Sequence, residues 1–395
     1  MKILWLCSWY PHAEQPYEGD FIQRHAGAVS GYSPLAVFYV CQDGADTEIE
    51  KPAIISKQYM AVTETVIYFR FKRTGLKLFD KLLYNYKYYK NYKKNIAKFI
   101  ARQGKPDIVH VHVPMKAGMI ARWIKKRWGI PYILSEHSSH YNGNTDDDFS
   151  KRTNLYQSQV RQIFRGAKMV TNVSTTIGEK LKKMFGLKEV RIVRNTVDTS
   201  IFYQNNVRPS RFRFIHVSTL SSFQKNIEGL VNAFLSLLQQ RQDFELVIVG
   251  PAGDELKKWV TGSALGSYVH FTGEIAYAEV AKQMRQASAF VLFSRFENFP
   301  CVIIEALCCG LPVISTDTGG TSEAIDDSNG ILVESENESQ LTGALNMIIE
   351  NYSRYDPGMI AKRASLKYNY EAIGKEFYEL YLELLRESSK QINET

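Results

Sequence analysis

The sequence predicts an α/β chain built from two doubly wound, parallel sheets. Three observations point there. Short apolar runs alternate with helix-period segments through both halves, the pattern of parallel strands joined by crossover helices. The alternation pauses at 203–211, where Gln204, Asn205, Asn206 and Pro209 read as a linker, and then restarts. A chain of 395 residues is also long for one hydrophobic core. The predicted domains are residues 1–206, residues 207–370, and a terminal helix, 371–395, packing back on the first domain.

In the first half the predicted strands are 2–8, 35–40, 66–71, 108–113, 132–136, 169–173 and 190–193. The helices are 20–30, 76–103, 116–128, 154–166 and 175–185. The opening run Ile3-Leu4-Trp5-Leu6-Cys7 is too short for a signal peptide. Trp9-Tyr10-Pro11-His12 follows it without a small-residue cleavage site, so a buried strand is the reading. Asp20 suits the N-cap of the first helix. In the second half the strands are 212–217, 245–250, 268–272, 289–293, 313–316 and a short edge at 330–333. Helices are predicted over 227–241 and 280–287, from Pro300 onward, and over 371–387. Pro300 suits a first helical position.

Composition excludes several classes. The chain is 45% hydrophobic and 23% charged, ordinary for a globular protein. No apolar stretch approaches the roughly 20 residues that span a bilayer. The five cysteines, Cys7, Cys41, Cys301, Cys308 and Cys309, are odd in number and lack metal-site spacing. They read as buried thiols in a reducing cytoplasm. The net charge is +8, and its excess is local. Between Arg70 and Lys105 about a dozen Lys and Arg face one acid, Asp80, interleaved with Tyr84, Tyr86, Tyr88, Tyr89 and Tyr92. Such a segment suits the anionic inner face of a membrane. No nucleic-acid module accompanies it.

The chemistry concentrates around two glutamates. Glu297 follows the apolar run Ala289-Phe290-Val291-Leu292-Phe293 and so hangs at the carboxyl end of a strand. Glu305 lies just over one turn into the next helix. Carboxylates accept hydrogen bonds from sugar hydroxyls, and a helix N-terminus favours phosphate. Lys225 lies in the loop after the strand 212–217, where a cation can hold a diphosphate without a metal. His137, in Ser135-Glu136-His137-Ser138, follows another buried strand. His110 and His112 alternate on one strand face without a third ligand, so no metal is expected. Asp146-Asp147-Asp148 reads as a solvated or acceptor-side run.

Phe296-Glu297-Asn298-Phe299-Pro300, Glu305-Ala306-Leu307, Gly310-Leu311-Pro312-Val313-Ile314, Gly319-Gly320 and Glu323 together resemble the donor-site signature of family 4 glycosyltransferases. The resemblance covers nearly the whole chain. It implies a GT-B architecture, two Rossmann-like domains facing a central cleft, and a retaining, metal-independent enzyme that uses a nucleotide-diphospho-sugar. It implies that Glu305 binds ribose hydroxyls and that Glu297 lies near the donor sugar. Lys225 would contact the diphosphate and His137 would face the sugar. Asn298, Phe299 and Pro300 would approach that sugar through their backbone, and Gly273 with Glu274 would border the base. Gly19 and Asp20 would lie at the donor–acceptor junction, and Glu323 would be structural. Ser218 and Thr219 stand where the family often has glycine and arginine, with Arg295 a candidate replacement cation. In Arg194-Asn195-Thr196-Val197-Asp198, Thr196 replaces the usual glycine of a structural turn. The implied acceptor is a glycan or lipid-linked sugar of surface polysaccharide synthesis. No cofactor is expected. A nucleotide-sugar epimerase of the same fold and a non-catalytic sugar-nucleotide binder are the alternatives.

Overall fold

The computed structural model describes residues 1–42, 53–138, 140–141, 148–205 and 209–393. Two compact units divide the chain. The first holds Met1–Val173, Gly178–Val193 and the segment from Tyr370 onward, and the second holds Ser174–Ile177 and Arg194–Asn369. The chain therefore leaves the first unit at Arg194, ahead of the polar stretch 203–211. The reason is visible in the turn itself. Asn195 Nδ2 donates to the Phe299 carbonyl at 2.6 Å, Thr196 Oγ1 to the Tyr368 carbonyl at 2.9 Å, and Val197 N to the same carbonyl at 2.8 Å.

The first unit's strands are β1 (Ile3–Cys7), β2 (Leu35–Gln42), β3 (Ile54–Tyr59), β4 (Val62–Phe69), β5 (Ile108–His112), β6 (Tyr132–Glu136), β7 (Met169–Asn172) and β8 (Arg191–Ile192). They order as β3-β4-β2-β1-β5-β6-β7-β8. All neighbours are parallel except β3, which runs antiparallel to β4. The second unit adds β9 (Phe212–Val217), β10 (Phe244–Val249), β11 (Val269–Gly273), β12 (Ala289–Leu292), β13 (Val313–Thr316) and β14 (Gly330–Val333). Their order is β11-β10-β9-β12-β13-β14, all parallel.

Each sheet has one place where the winding reverses. In the first it falls between β1 and β5, and in the second between β9 and β12. Crossover helices leave opposite faces there, so the loops at the carboxyl ends of the two strands part and open a crevice. Both switch points carry backbone strain. Val113 after β5 has φ 64°, and Leu220 and Asn226 after β9 have φ 54° and 47°. A β-branched residue at positive φ is a genuine outlier.

Corrections to the sequence reading are local. The strand predicted at 66–71 is Val62–Phe69, held in register by eight parallel pairs from Leu35↔Val62 to Gln42↔Phe69. Gly19, at φ 66°, is the N-cap of the first helix; Asp20 is its first residue and pairs with Arg24 at 2.7 Å. Pro300 is the N-cap of Cys301–Cys308 rather than its first residue. Strand β3 and the helices Asp254–Gly262, Glu338–Glu350 and Pro357–Tyr368 are additions. The terminal helix Tyr370–Asn393 packs on Asp20–Ser30 within the first unit. A Cβ at Gly374 would sit 2.2 Å from the Ala28 carbonyl, so only glycine allows that approach. The five cysteines are free thiols.

Candidate active site

The second switch point brings Lys225 and Glu297 together from 72 residues apart. Lys225 ends the short helix Ser222–Lys225, which Ser221 caps by accepting from Gln224 N. Its Nζ lies 2.5 Å from Glu297 Oε1, with the two side chains only 13% and 7% exposed. The two loops are also laced by backbone: Arg295 N donates to the Gln224 carbonyl at 2.8 Å, and Gln224 Nε2 to the Phe296 carbonyl at 3.3 Å. The Arg295 guanidinium is spent on Glu336 (2.8 Å) and on the Ser222 carbonyl (2.6 Å), so it braces the Lys225 loop.

Behind Glu297 stands Gly319, at φ 62°. A Cβ there would lie 2.0 Å from the Glu297 carbonyl, so the glycine pair fixes where Glu297 sits. Gly320 N donates to the Asn298 carbonyl at 2.7 Å, and Ser174 Oγ donates to Asn298 Oδ1 at 2.7 Å. With Asn195 on the Phe299 carbonyl, the backbone acceptors of Asn298 and Phe299 are engaged by protein. The stretch leads into the N-terminus of helix Cys301–Cys308, with Pro300 as its N-cap, an end of positive potential. Glu305 is buried on that helix, and Tyr277 donates to its Oε1 at 2.8 Å. Gly273, at the end of β11, has φ 72° and open space around a notional Cβ.

Ser218 and Thr219 follow β9, and the tautomer of buried His216 decides what Ser218 offers. His216 Nδ1 faces the Val291 carbonyl at 2.9 Å and must donate to it. Nε2 is then an acceptor, and the Ser218 hydroxyl, 2.7 Å away, donates to it. Ser218 Oγ in turn accepts from Leu220 N at 3.0 Å. The hydroxyl proton is committed inside the loop, so Ser218 positions the backbone and has no proton left for a phosphate. Burial, with Lys225 nearby, drives the His216 pKa down to about 4 despite the opposing Val291 hydrogen bond, so the relay holds at neutral pH. Thr219 is exposed. Glu323 binds the segment next to Ser174, the residue that holds Asn298. It accepts from Thr175 N (2.9 Å) and Thr176 N (3.2 Å) and pairs with Arg194. Burial pushes its carboxyl up, but these hydrogen bonds and Arg194 together hold it below the usual range.

In the first unit His137 is set by two handles. Glu136 Oε1 accepts from His137 N and Ser138 N, both at 2.8 Å, which folds the turn after β6 around a buried carboxylate. His137 Nε2 lies 3.1 Å from His112 Nδ1, with the rings parallel within 7°. His112 packs on Trp5 at 4.0 Å and on His110 at 4.2 Å, and His25 joins at 5.7 Å from His137. Burial, then mutual repulsion of neighbouring imidazoles, keeps His112 and His137 well below the ordinary histidine pKa, and His110 at about 3. His110, His112 and His137 are neutral at physiological pH. Sequence reading missed that His25, His112 and His137 meet; the signal was the outward alternation of β5 beside β6. Among the described residues, no group of three or more His, Cys, Asp or Glu is arranged to hold a metal. Asp146 and Asp147 lie outside the described residues, and Asp148 accepts from Ser150 N at 2.9 Å. Gly19 abuts the backbone of Trp9, 2.9 Å from a notional Cβ, and so closes the loop after β1.

Two parallel-sheet α/β units of this topology make up the GT-B architecture. The family model of glycosyl transferases group 1 matches residues 198–370, and that of glycosyltransferase family 4 matches residues 36–201. The chain belongs to the family 4, group 1 glycosyltransferases. It is 27% identical over 321 residues to a probable sucrose-phosphate synthase of Thermosipho melanesiensis, covering 73% of each chain. It is 26% identical over 399 residues to the putative teichuronic acid biosynthesis glycosyltransferase TuaC of Bacillus subtilis, covering 95% of each. Its fold matches that of Anabaena HepE, solved with UDP-glucose, at a TM-score of 0.70 and 20% identity, over 96% of this chain and 99% of that one.

Proposed function

We propose that the protein transfers a sugar from a nucleotide-diphospho-sugar to a glycan or lipid-linked acceptor, with retention at the anomeric carbon and without a metal. The observation that carries this reading is the Lys225–Glu297 pair. Paired, the two groups keep each other's charge satisfied. An arriving diphosphate competes for Lys225, and Glu297 is then available to accept sugar hydroxyls. Glu305, held in place by Tyr277 on its Oε1, is the carboxylate we assign to the ribose hydroxyls. The helix N-terminus at Cys301 adds positive potential for developing phosphate charge. His137, held neutral, keeps the capacity to hydrogen-bond a sugar hydroxyl without adding a cation. Glu297 is committed to Lys225 or to hydroxyls, which favours same-face attack assisted by the departing phosphate over a carboxylate nucleophile. A nucleotide sugar is bound by the structurally similar HepE, in line with this donor class.

We further assign the helix Lys77–Gln103 to an anionic membrane surface at the cytoplasmic face. Its inner side is anchored by Tyr88, Tyr92, Ile96 and Ile100. Its N-terminal turns leave Leu78, Phe79, Leu82 and Tyr86 more than half exposed among lysines. No helix among the described residues is long and apolar enough to cross a membrane. The deciding experiment for the reaction is release of free nucleotide from candidate nucleotide sugars with and without acceptor polysaccharide. Release that depends on acceptor is expected. Conversion of the nucleotide sugar with no release would instead support epimerisation, and tight binding with neither outcome would support the binder.

A further inference from the structure

The first unit's switch point carries a cation that the donor-site reading does not use. Lys116 follows strained Val113 in the loop after β5. Its Nζ lies 4.0 Å from the ring centroid of Tyr84 and 4.9 Å from that of Tyr88. The loop is tied to the end of β1, because Ser8 Oγ donates to the Val113 carbonyl at 2.8 Å and accepts from Ala117 N at 3.1 Å. Three features make this an unfavourable place for a lone ammonium. It is half-buried. It sits at the N-cap of helix Ala117–Trp128, where the dipole repels a cation. Among the described residues no carboxylate pairs with it. The first N–H groups of that helix are already satisfied: Ala117 N by Ser8, Gly118 N by the Pro114 carbonyl at 2.8 Å, and Met119 N by the Lys116 carbonyl at 3.2 Å. The site therefore offers one charge, with aromatic walls.

We propose that Lys116, caged by Tyr84 and Tyr88, is the subsite for an oxyanion carried by the acceptor, a phosphate or a carboxylate. This rests on the glycosyltransferase reading, and it narrows the acceptor class to anionic molecules. The switch point of a doubly wound sheet is where such folds place ligands. The tyrosine faces hold the ammonium by cation–π attraction without neutralising it, so its charge stays available. An incoming oxyanion supplies the missing partner and relieves both the burial and the dipole. Burial lowers the Lys116 pKa to about 8. Its walls Tyr84 and Tyr88 are themselves influenced by Tyr89, Cys7, Cys41 and Glu18. The tyrosine hydroxyls and Cys7 are pushed up by burial and stay protonated through this range. Glu18 is engaged by Tyr39 OH at 2.9 Å.

The test is NMR of the full chain with lysine labelled by carbon-13 at Cε, with Lys116 and Lys225 assigned by Lys→Gln substitution at each. The probes are inorganic pyrophosphate and glucuronate. Without a probe the Lys116 signal should titrate near pH 8. A bound oxyanion should raise that midpoint by about one to three units, and Lys116→Arg should retain binding that Lys116→Gln loses. Response to pyrophosphate alone marks a phosphorylated acceptor, and response to glucuronate a uronate. A Lys116 signal unmoved by either probe at saturation would overturn the proposal. The Lys225 signal reports the donor site independently: its silence toward pyrophosphate would count against the donor reading, whatever Lys116 does.

Discussion

The two switch points solve the same problem with opposite electrostatics. At β9/β12 a buried lysine is matched by a buried carboxylate, and the loop around them is cross-braced by Arg295, Gly319 and the His216–Ser218 relay. At β1/β5 a lysine is walled by tyrosines with no carboxylate partner among the described residues, beside the neutral His110, His112 and His137. A matched pair costs little while waiting and must be opened by its ligand. An unmatched cation is ready for an anion at once, but destabilises the free protein. The topology sets where each site falls, and the identity of one neighbour, Glu or Tyr, sets what each can do.

The contrast breaks most visibly if Glu297 is removed. Glu297→Ala leaves Lys225 buried without a counterion, which costs about 3–5 kcal/mol. Chemical denaturation should show most of that loss, and Lys225→Gln added to it should recover part. Lys116→Gln, which removes a half-buried cation with no carboxylate partner among the described residues, should instead raise the denaturation midpoint slightly. Equal losses in both variants would erase the distinction. On the chemistry, Glu297→Ala should depress kcat more than nucleotide affinity. Glu305→Ala should weaken nucleotide binding roughly ten- to a hundredfold, the worth of a charged hydrogen bond of about 1.5–3 kcal/mol. Full transfer activity in both would remove these glutamates from the site.

The neutral histidines give the next effect. A histidine whose folded pKa is depressed binds fewer protons folded than unfolded. Its contribution is therefore intact above the unfolded value of about 6.5 and is lost as pH falls below it. For His216 the loss continues to about pH 4, and for His110 to about pH 3. Each contributes a slope of about 1.4 kcal/mol per pH unit within its window. Urea titrations between pH 6 and pH 4.5 should be less steep in pH for His110→Gln and His216→Gln than for the parent chain. Parallel slopes would mean these imidazoles are protonated in the folded protein.

Much of this was legible in the sequence. Helices Asp20–Ser30, Asn154–Gly166 and Thr175–Phe185 and strands β6, β9, β13 and β14 have the predicted limits, because each has a clean apolar period or run bounded by a strong stop. Helix Asp254–Gly262 left no such trace, since Val260 is its one buried residue. Strand β3 is exposed from Ile54 through Gln58, so it lacks an alternating face. The Glu297–Glu305 spacing was readable as a local string. The Lys225–Glu297 pair, the Ser174–Asn298 bond and the Glu323–Thr175 cap join distant segments, which no local pattern encodes. Lys116 read as a helix start, because its aromatic walls come from a helix some thirty residues earlier.

The membrane assignment extends the comparison to the outside of the first unit. Each basic residue near an anionic surface contributes about 1 kcal/mol, and the exposed apolar side chains add burial that salt does not screen. Changing Lys87, Lys90, Lys93 and Lys94 to Gln should cut co-sedimentation with anionic vesicles at low salt. Leu78→Ser with Leu82→Ser should reduce the fraction that survives high salt. Equal pelleting on neutral and anionic vesicles would return the helix to a solvated face.

The smallest effect should come from chelation. In the proposed donor site, Lys225 and the helix N-terminus at Cys301 would supply the positive charge that a divalent ion would otherwise bring to a departing diphosphate. At Lys116 the proposed anion meets an ammonium rather than a carboxylate pair that would need a bridging cation. Transfer activity measured in EDTA should therefore match that in magnesium or manganese, within the change expected from ionic strength alone. Abolition by EDTA, with recovery on adding either metal, would show that Lys225 does not carry the diphosphate charge unaided. The two switch points would then differ in a metal as well as in a glutamate.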